Sequence, residues 1–419
     1  MFDSVKIIHS EENIKEYRFL ADFFRLIGIH VCDCTLKRDW FTNEFGFVIL
    51  IEEGIEKSRI DRLKDIYPKA LCIKESKVKE LSIYAESTKE KNIWKKYLNG
   101  CLEAIKNMDC ITDQQYLNKE IEILKKIGEV YVSFQLSYYK NIYGSFYNNK
   151  EIMQKAQAQI IGAYITISDF YKSSEEKTSN LLYALANLAR MLNETCRFLG
   201  QELLLSTDVA LRYLDRALQL EPTFNNAYFL KGMLTELDER YREHSGTYYQ
   251  IAMEWIQNRK YAAYPYYIIG RYYEKIKNDY EMAKKYYIRS IGINSCEYRS
   301  IYKLAIFDKK EKRYLSAVEH FKMICNILHE KEEKNYLQPQ ECDYLLKAYL
   351  QIVEIYETYL DDSELREVYR KKLYDLCEKI TDEQEKNQAY EELFGEQAYM
   401  LRKETINRFH AVTIKNCLQ

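Results

Sequence analysis

The stretch YEMAKKYYIRS at residues 280–290 returns as YLSAVEHFKMI at residues 314–324. Ala283 and Tyr287 fall on Ala317 and Phe321, each pair 34 positions apart. Upstream, Ala210, Leu214, Ala217 and Pro222 repeat the second-helix pattern A-x3-L-x2-A-x4-P. A period near 34 with small residues at fixed offsets marks stacked helix–turn–helix units. The small residues have a steric role: where two helices cross closely, only Ala, Gly or Ser lets the backbones approach. Such an array is a binding surface, and its period does not name the partner.

Composition agrees with a mainly helical chain. Its 419 residues leave room for two or three domains, or for one domain and a repeat array. With 47% hydrophobic and 30% charged residues it can bury a core and is not disordered. Only 4 Pro and 13 Gly interrupt it, which favours long helices. The 39 Tyr, against 17 Phe, suit crevices between stacked helices, where the ring is buried and the hydroxyl reaches water. A net charge of −2 supplies no basic field for nucleic acid.

The 11 Cys include no C-x-x-C, and Cys32 and Cys34 have no His or Cys at ligand spacing beside them. No metal and no cofactor are expected, and the thiols read as reduced and buried, as in a cytosolic protein. Met1 to Asn13 is mixed and acidic, unlike a signal peptide. The longest apolar run, Phe45 to Ile51, is far too short to span a bilayer. The expectation is a soluble cytoplasmic protein without a membrane partner; the Lys-, Ile- and Tyr-rich usage fits a bacterial source.

Residues 1–75 differ from the rest. Val5 to Ile8 reads as a strand. Glu11 to Ile27 reads as an amphipathic helix with Ile14, Tyr17, Leu20, Ala21, Phe24 and Ile27 on one face. Ile29 to Leu36, Phe45 to Ile51 and Ala70 to Ile73 read as strands, with a helix over Ile55 to Ile66. This order predicts a small parallel or mixed sheet flanked by helices. Residues 76–100 read as a charged helical linker and 101–419 as helical repeats, with a polar connector at Glu330 to Gln340 and helical pattern again from Tyr390 through Phe409. The fold class is mainly α: a curved α-solenoid of helical hairpins behind a small N-terminal α/β domain.

Over residues 205–328 the repeats resemble the tetratricopeptide (TPR) family. One unit carries Tyr228 and Gly232 and then departs from the pattern. The next carries Tyr266, Ile269, Gly270 and Tyr273, then Ala283, Tyr287 and Ser290, one residue late. The following unit carries Ile301, Leu304, Ala305, Ala317 and Phe321 in register. The resemblance implies a concave groove lined by Asn226, Phe229 and Met233, then Tyr264, Tyr267 and Arg271, then Arg299, Tyr302 and Ile306. An aromatic groove edged by arginines suits a protein or peptide partner. The subclass that grips a C-terminal carboxylate uses Lys and Asn where this chain has Phe229 and Met233, Tyr267 and Arg271, and Tyr302 and Ile306, so that role is disfavoured.

The first 75 residues resemble, more loosely, two flavodoxin-like families. In the TIR domain a helix after the third strand carries a Glu that serves nucleotide cleavage; Lys64 stands at the nearest position here and Ile60 at the Trp position. In the receiver domain an Asp after the third strand accepts phosphate. Here Glu52 and Glu53 follow that strand and Glu11 and Glu12 follow the first. No phosphate-binding, nucleophile-elbow, dinucleotide or zinc-protease motif occurs, and the six His pair with no Cys or Asp at a catalytic spacing.

The reading is a non-catalytic protein- or peptide-binding scaffold, with self-association through the N-terminal domain as a further expectation. The alternative is a signalling or antiphage-defence component whose TIR-like head associates or acts on a nucleotide while the repeats sense a trigger. A peptide-responsive transcription regulator is the third, opposed by the strand at Phe45 to Ile51 and the acidic head.

Overall fold

The computed structural model describes residues 4–10, 13–35, 47–73, 87–106, 114–147, 150–256, 263–333 and 339–386. The chain forms two compact units: Met1–Asn141 with Met153–Arg259, and Ile142–Ile152 with Lys260–Gln419.

The first unit opens with an α/β domain. Its strands are β1 (Ser4–His9), β2 (His30–Thr35), β3 (Phe47–Ile51) and β4 (Leu71–Ile73), with helices α1 (Ile14–Leu26) and α2 (Lys57–Ile66). All pairings are parallel and the order is β2-β1-β3-β4. Alternation along the strands sorts the core. Val5, Ile7, Ile49 and Ile51 join α1, whereas Ile8, Val48 and Leu50 join Leu63 and Tyr67 on the α2 side. Lys6 shares the α2 side and is fully buried; its Nζ donates to the Tyr67 hydroxyl at 2.7 Å.

The amphipathic reading of α1 needs correction. Beyond the expected face, Phe19, Phe23 and Leu26 are also fully buried. The reason is a second cover. Helix α3 (Thr88–Lys106) brings Trp94 to 4.2 Å from the Phe19 ring, and α4 (Gln114–Tyr147) brings Tyr131 to 5.3 Å from Phe19 and 5.6 Å from Phe23. The Tyr131 hydroxyl donates to the Phe19 carbonyl at 3.0 Å. Helix α3 starts on a reciprocal cap: Glu90 N donates to Ser87 Oγ, and Ser87 N donates to the Glu90 carboxylate.

After α5 (Lys150–Ser173) the chain is built from helical hairpins: α6 (Ser179–Leu199) with α7 (Thr207–Leu220), and α8 (Asn225–Leu237) with α9 (Ser245–Ile256). The second unit continues with α10 (Ala263–Tyr272) and α11 (Tyr280–Ile293), α12 (Tyr298–Lys310) and α13 (Tyr314–Glu333), and α14 (Pro339–Ile355) and α15 (Ser363–Lys386). The fold class is therefore the expected one, a small α/β domain followed by TPR-like hairpins. Helices α10 and α14 each end in one wide π turn, Tyr273–Lys277 and Tyr356–Leu360. Each closes on a left-handed residue, Asn278 or Asp361, and the next Asp caps the following helix. The polar connector expected at Glu330 to Gln340 is helical at both ends, because α13 runs to Glu333 and Pro339 takes the first position of α14. The expected helical segment from Tyr390 to Phe409, and the acids Glu11 and Glu12, lie outside the described residues.

Candidate functional site

Two hairpins, α8 with α9 and α10 with α11, are locked by one device. In α8, Gly232 lies against the ring of Tyr249 on α9; a Cβ there would come within 2.5 Å of it. The Tyr249 hydroxyl then donates to Glu236, one turn beyond the glycine, at 2.7 Å. In α10, Gly270 lies against Tyr287 of α11, with a hypothetical Cβ at 2.6 Å, and the Tyr287 hydroxyl donates to Glu274 at 2.6 Å. Burial first, and Glu274 second, push the Tyr287 hydroxyl far above its ordinary pKa, so it remains a donor. The third copy has Ala305 and Phe321, both fully buried. Phe has no hydroxyl, and Asp308, near the place of the glutamates, instead accepts from Arg313, Ser316 and His320.

The same register places the expected groove residues. Phe229 and Tyr267 are equivalent, 38 positions apart, and both turn inward; they are 7% and 8% exposed and their rings lie 5.6 Å from Tyr249 and 6.0 Å from Tyr287. Asn226 is buried in the first unit, where its amide donates to the Gly28 carbonyl of the α/β domain. Met233 is half-buried.

In the second unit Tyr264, the counterpart of Asn226, is 40% exposed. Its ring stacks on Tyr267 at 6.0 Å. The guanidinium of Arg299 on α12 lies 4.6 Å from Tyr264, 5.3 Å from Tyr298 and 5.7 Å from Tyr267. Glu297, buried just before α12, takes both arms of that guanidinium at 2.5 and 3.0 Å. Tyr302 meets Tyr344 of α14 edge-on at 5.2 Å and Phe321 at 5.6 Å. Tyr344 shares a hydroxyl hydrogen bond with Tyr267. Burial raises the pKa of Tyr267, Tyr298 and Tyr344 alike, so the cluster presents neutral hydroxyls at physiological pH. Arg271 is half-buried, its charge acting on Tyr267 and Tyr287, and Ile306 packs at the edge of the core of α12–α15. The structure thus brings Tyr264, Tyr267, Arg299 and Tyr302 into one cluster. Sequence reasoning missed its inner members, Glu297, Tyr298 and Tyr344.

The α/β domain has its own candidate position, the ends of β1 and β3 where the strand order reverses and doubly wound sheets bind ligands. Here the protein's own groups bridge the two ends. Ser10 Oγ donates to the Glu53 carbonyl at 3.1 Å, and the Asn13 amide donates to the same carbonyl at 2.5 Å. Lys64 pairs with Glu52 at 2.7 Å, and His9 stacks on Tyr17 at 4.4 Å. Among the described residues no group of three or more His, Cys, Asp or Glu is placed to hold a metal, and no helix is long and apolar enough to cross a membrane.

No family model and no curated protein matches this chain. Solved structures similar to it include two crystal structures of MamA. One shares 18% identity over 44% of this chain and 95% of that one, with a TM-score of 0.32. The other shares 17% identity over 48% and 95%, with a TM-score of 0.31.

Proposed function

We propose that the chain is a non-catalytic scaffold that binds a protein or peptide through the second-unit cluster of Tyr264, Tyr267, Arg271, Arg299, Tyr302 and Ile306. One observation carries the reading: Tyr264, an aromatic ring left 40% exposed, lies on an arginine already fixed by a buried carboxylate. A rigid ring over a rigid guanidinium loses little side-chain entropy on binding, and aromatic and Arg groups dominate interface energies. Arg299 is neutralised by Glu297, so the reading favours contacts to backbone and aromatic groups of the partner over a strongly acidic one.

Two features of the α/β domain weigh for a non-catalytic role. Lys64, at the position where the TIR pattern requires Glu, is tied to Glu52. The switch-point crevice is bridged by Ser10 and Asn13. Selection of a displayed peptide library on the full chain tests the reading. Peptides that bind the wild type and lose at least about tenfold in affinity, roughly 1.4 kcal/mol, with Tyr264→Ala support it. Peptides indifferent to Tyr264→Ala and Arg271→Ala place the site elsewhere. Turnover of a nicotinamide nucleotide by purified protein, abolished by Glu52→Gln, would overturn the non-catalytic part.

A further inference from the structure

The end of α1 is gripped by side-chain amides. The last residues of a helix leave backbone carbonyls without intrahelical donors. At the end of α1 three carbonyls in a row, those of Leu26, the cap residue Ile27 and Gly28 beyond it, are met by three asparagines from the hairpins. Asn187 donates to Leu26 at 3.4 Å, Asn180 donates to Ile27 at 2.6 Å, and Asn226 donates to Gly28. Asn180 and Asn187 lie two turns apart on α6 and Asn226 lies on α8, the first helices of successive hairpins. All three are buried.

A ring clamp completes the grip. Gly28 has φ +85°, a conformation that favours glycine, and a Cβ there would lie 2.6 Å from Phe224 and 2.8 Å from Tyr183. Those two rings lie 5.3 Å apart. The other side of α1 is held differently, by the apolar contacts of Phe19 and Phe23 with Trp94 and Tyr131. The contacts of α6 and α8 to the end of α1 are thus polar and end-on, while α6 also adds Leu181, Ala184, Leu185 and Leu188 to the apolar core that α1 shares with α3 and α4.

We propose that the α6/α8 face is a receptor for the C-terminal end of a helix closed by a left-handed glycine, and that the end of α1 is its tethered occupant. The face reads main-chain carbonyls and the absence of a side chain, so it recognises an ending and not a side-chain sequence. Tethering holds the local concentration of the occupant near the millimolar range, which keeps out a weaker competitor in trans. The inference is independent of the second-unit cluster, and either can fail alone.

The test uses the full chain and a labelled peptide of residues 14–29. The wild type should show no saturable binding. Gly28→Ala, which strains the backbone and meets both rings, should release the end of α1 and make binding of the peptide saturable. Adding Asn180→Ala and Asn226→Ala should abolish that binding. A second variant, Asn226→Asp, keeps the volume but aims an acceptor at the Gly28 carbonyl. It should speed backbone hydrogen exchange at the start of α6 and α8 while β1 and β3 keep their protection. The proposal is overturned if folded Gly28→Ala ignores the peptide, or if exchange in Asn226→Asp rises equally in β1, β3, α6 and α8, as for an inseparable cap.

Discussion

Asn226, Phe229 and Met233 in the first unit, and Tyr264, Tyr267 and Arg271 in the second, hold the same three positions of the repeat, 38 residues apart. Beneath them the construction is common: glycine against a tyrosine ring, with the tyrosine hydroxyl on a glutamate. The inward residue is aromatic in both. The outward residue differs, and its occupant differs with it. Asn226 donates to a carbonyl of the α/β domain, whereas Tyr264 keeps much of its ring in solvent over Arg299. The repeat register thus fixes where a side chain stands, and the identity of that one side chain decides what it meets.

The strongest check on the common construction is to remove both rings. Tyr249→Ala and Tyr287→Ala should each destabilise their unit by about 3–5 kcal/mol, because both rings are fully buried. Matched losses in chemical denaturation would sharpen the equivalence. A loss below about 1 kcal/mol at either site would break it. Next comes the third copy, where alanine replaces glycine. Ala305→Leu pushes three carbons toward Phe321 and should cost about 1–3 kcal/mol; unchanged thermal stability would mean that Ala305 does not sit at the crossing.

Much of this register is legible in the sequence. Ala283 with Ala317 and Tyr287 with Phe321 display the period, and Gly270 and Ala305 display the crossing. The α8/α9 hairpin looked irregular because its marks are exchanged. Ser245, Tyr249 and Ala252 stand where Ala283, Tyr287 and Ser290 stand 38 residues later, with Ser and Ala swapped. The swap is tolerated because each hydroxyl finds a carbonyl: Ser245 donates to Arg242 at 2.6 Å and Ser290 to Ala263 at 2.7 Å. The strands and helices of the α/β domain were legible from apolar runs and turn residues. The asparagine grip was not, since Asn180 and Ile27 are joined only by folding. Nor was Glu297, whose pairing with Arg299 depends on the loop before α12. A second cover on α1 was likewise hidden, because periodicity reports one face and the packing of α3 and α4 supplies the other.

The outward positions can be separated by a pair of substitutions. Asn226→Ala leaves the buried Gly28 carbonyl without its amide donor and should cost about 1–2 kcal/mol. Tyr264→Ala removes a half-exposed ring and should change stability by no more than about 0.5 kcal/mol, while weakening any peptide bound to the second unit. Equal stability losses would erase the distinction between an occupied position and an open one.

The smallest effect lies in the turns that close the hairpins, where both units use an Asp–Arg clasp. In the first, Arg240 donates to Asp238 and holds its carboxyl down to about 2, helped by Thr207. In the second, burial alone would raise Asp308, but donation from Arg313 and Ser316 outweighs it and the carboxyl is held below the ordinary range. An unfolded Asp titrates near 3.9. Both folded carboxyls therefore bind protons less readily than the unfolded chain does. Each clasp contributes its full stability above about pH 4, and the contribution is lost as pH falls from there through the folded pKa, about 2 for Asp238. Arg240 and Arg313 are both about half exposed, so screening by water keeps the contribution of each clasp small. Denaturant midpoints measured from pH 6 to pH 2 should fall more gently in Asp238→Asn and in Asp308→Asn than in the wild type. The Asp238→Asn change should be the larger, because that carboxyl is held down to about 2, whereas burial offsets part of the donation to Asp308. Identical acid limbs in the wild type and both variants would show that the clasps fix the turns without contributing to stability.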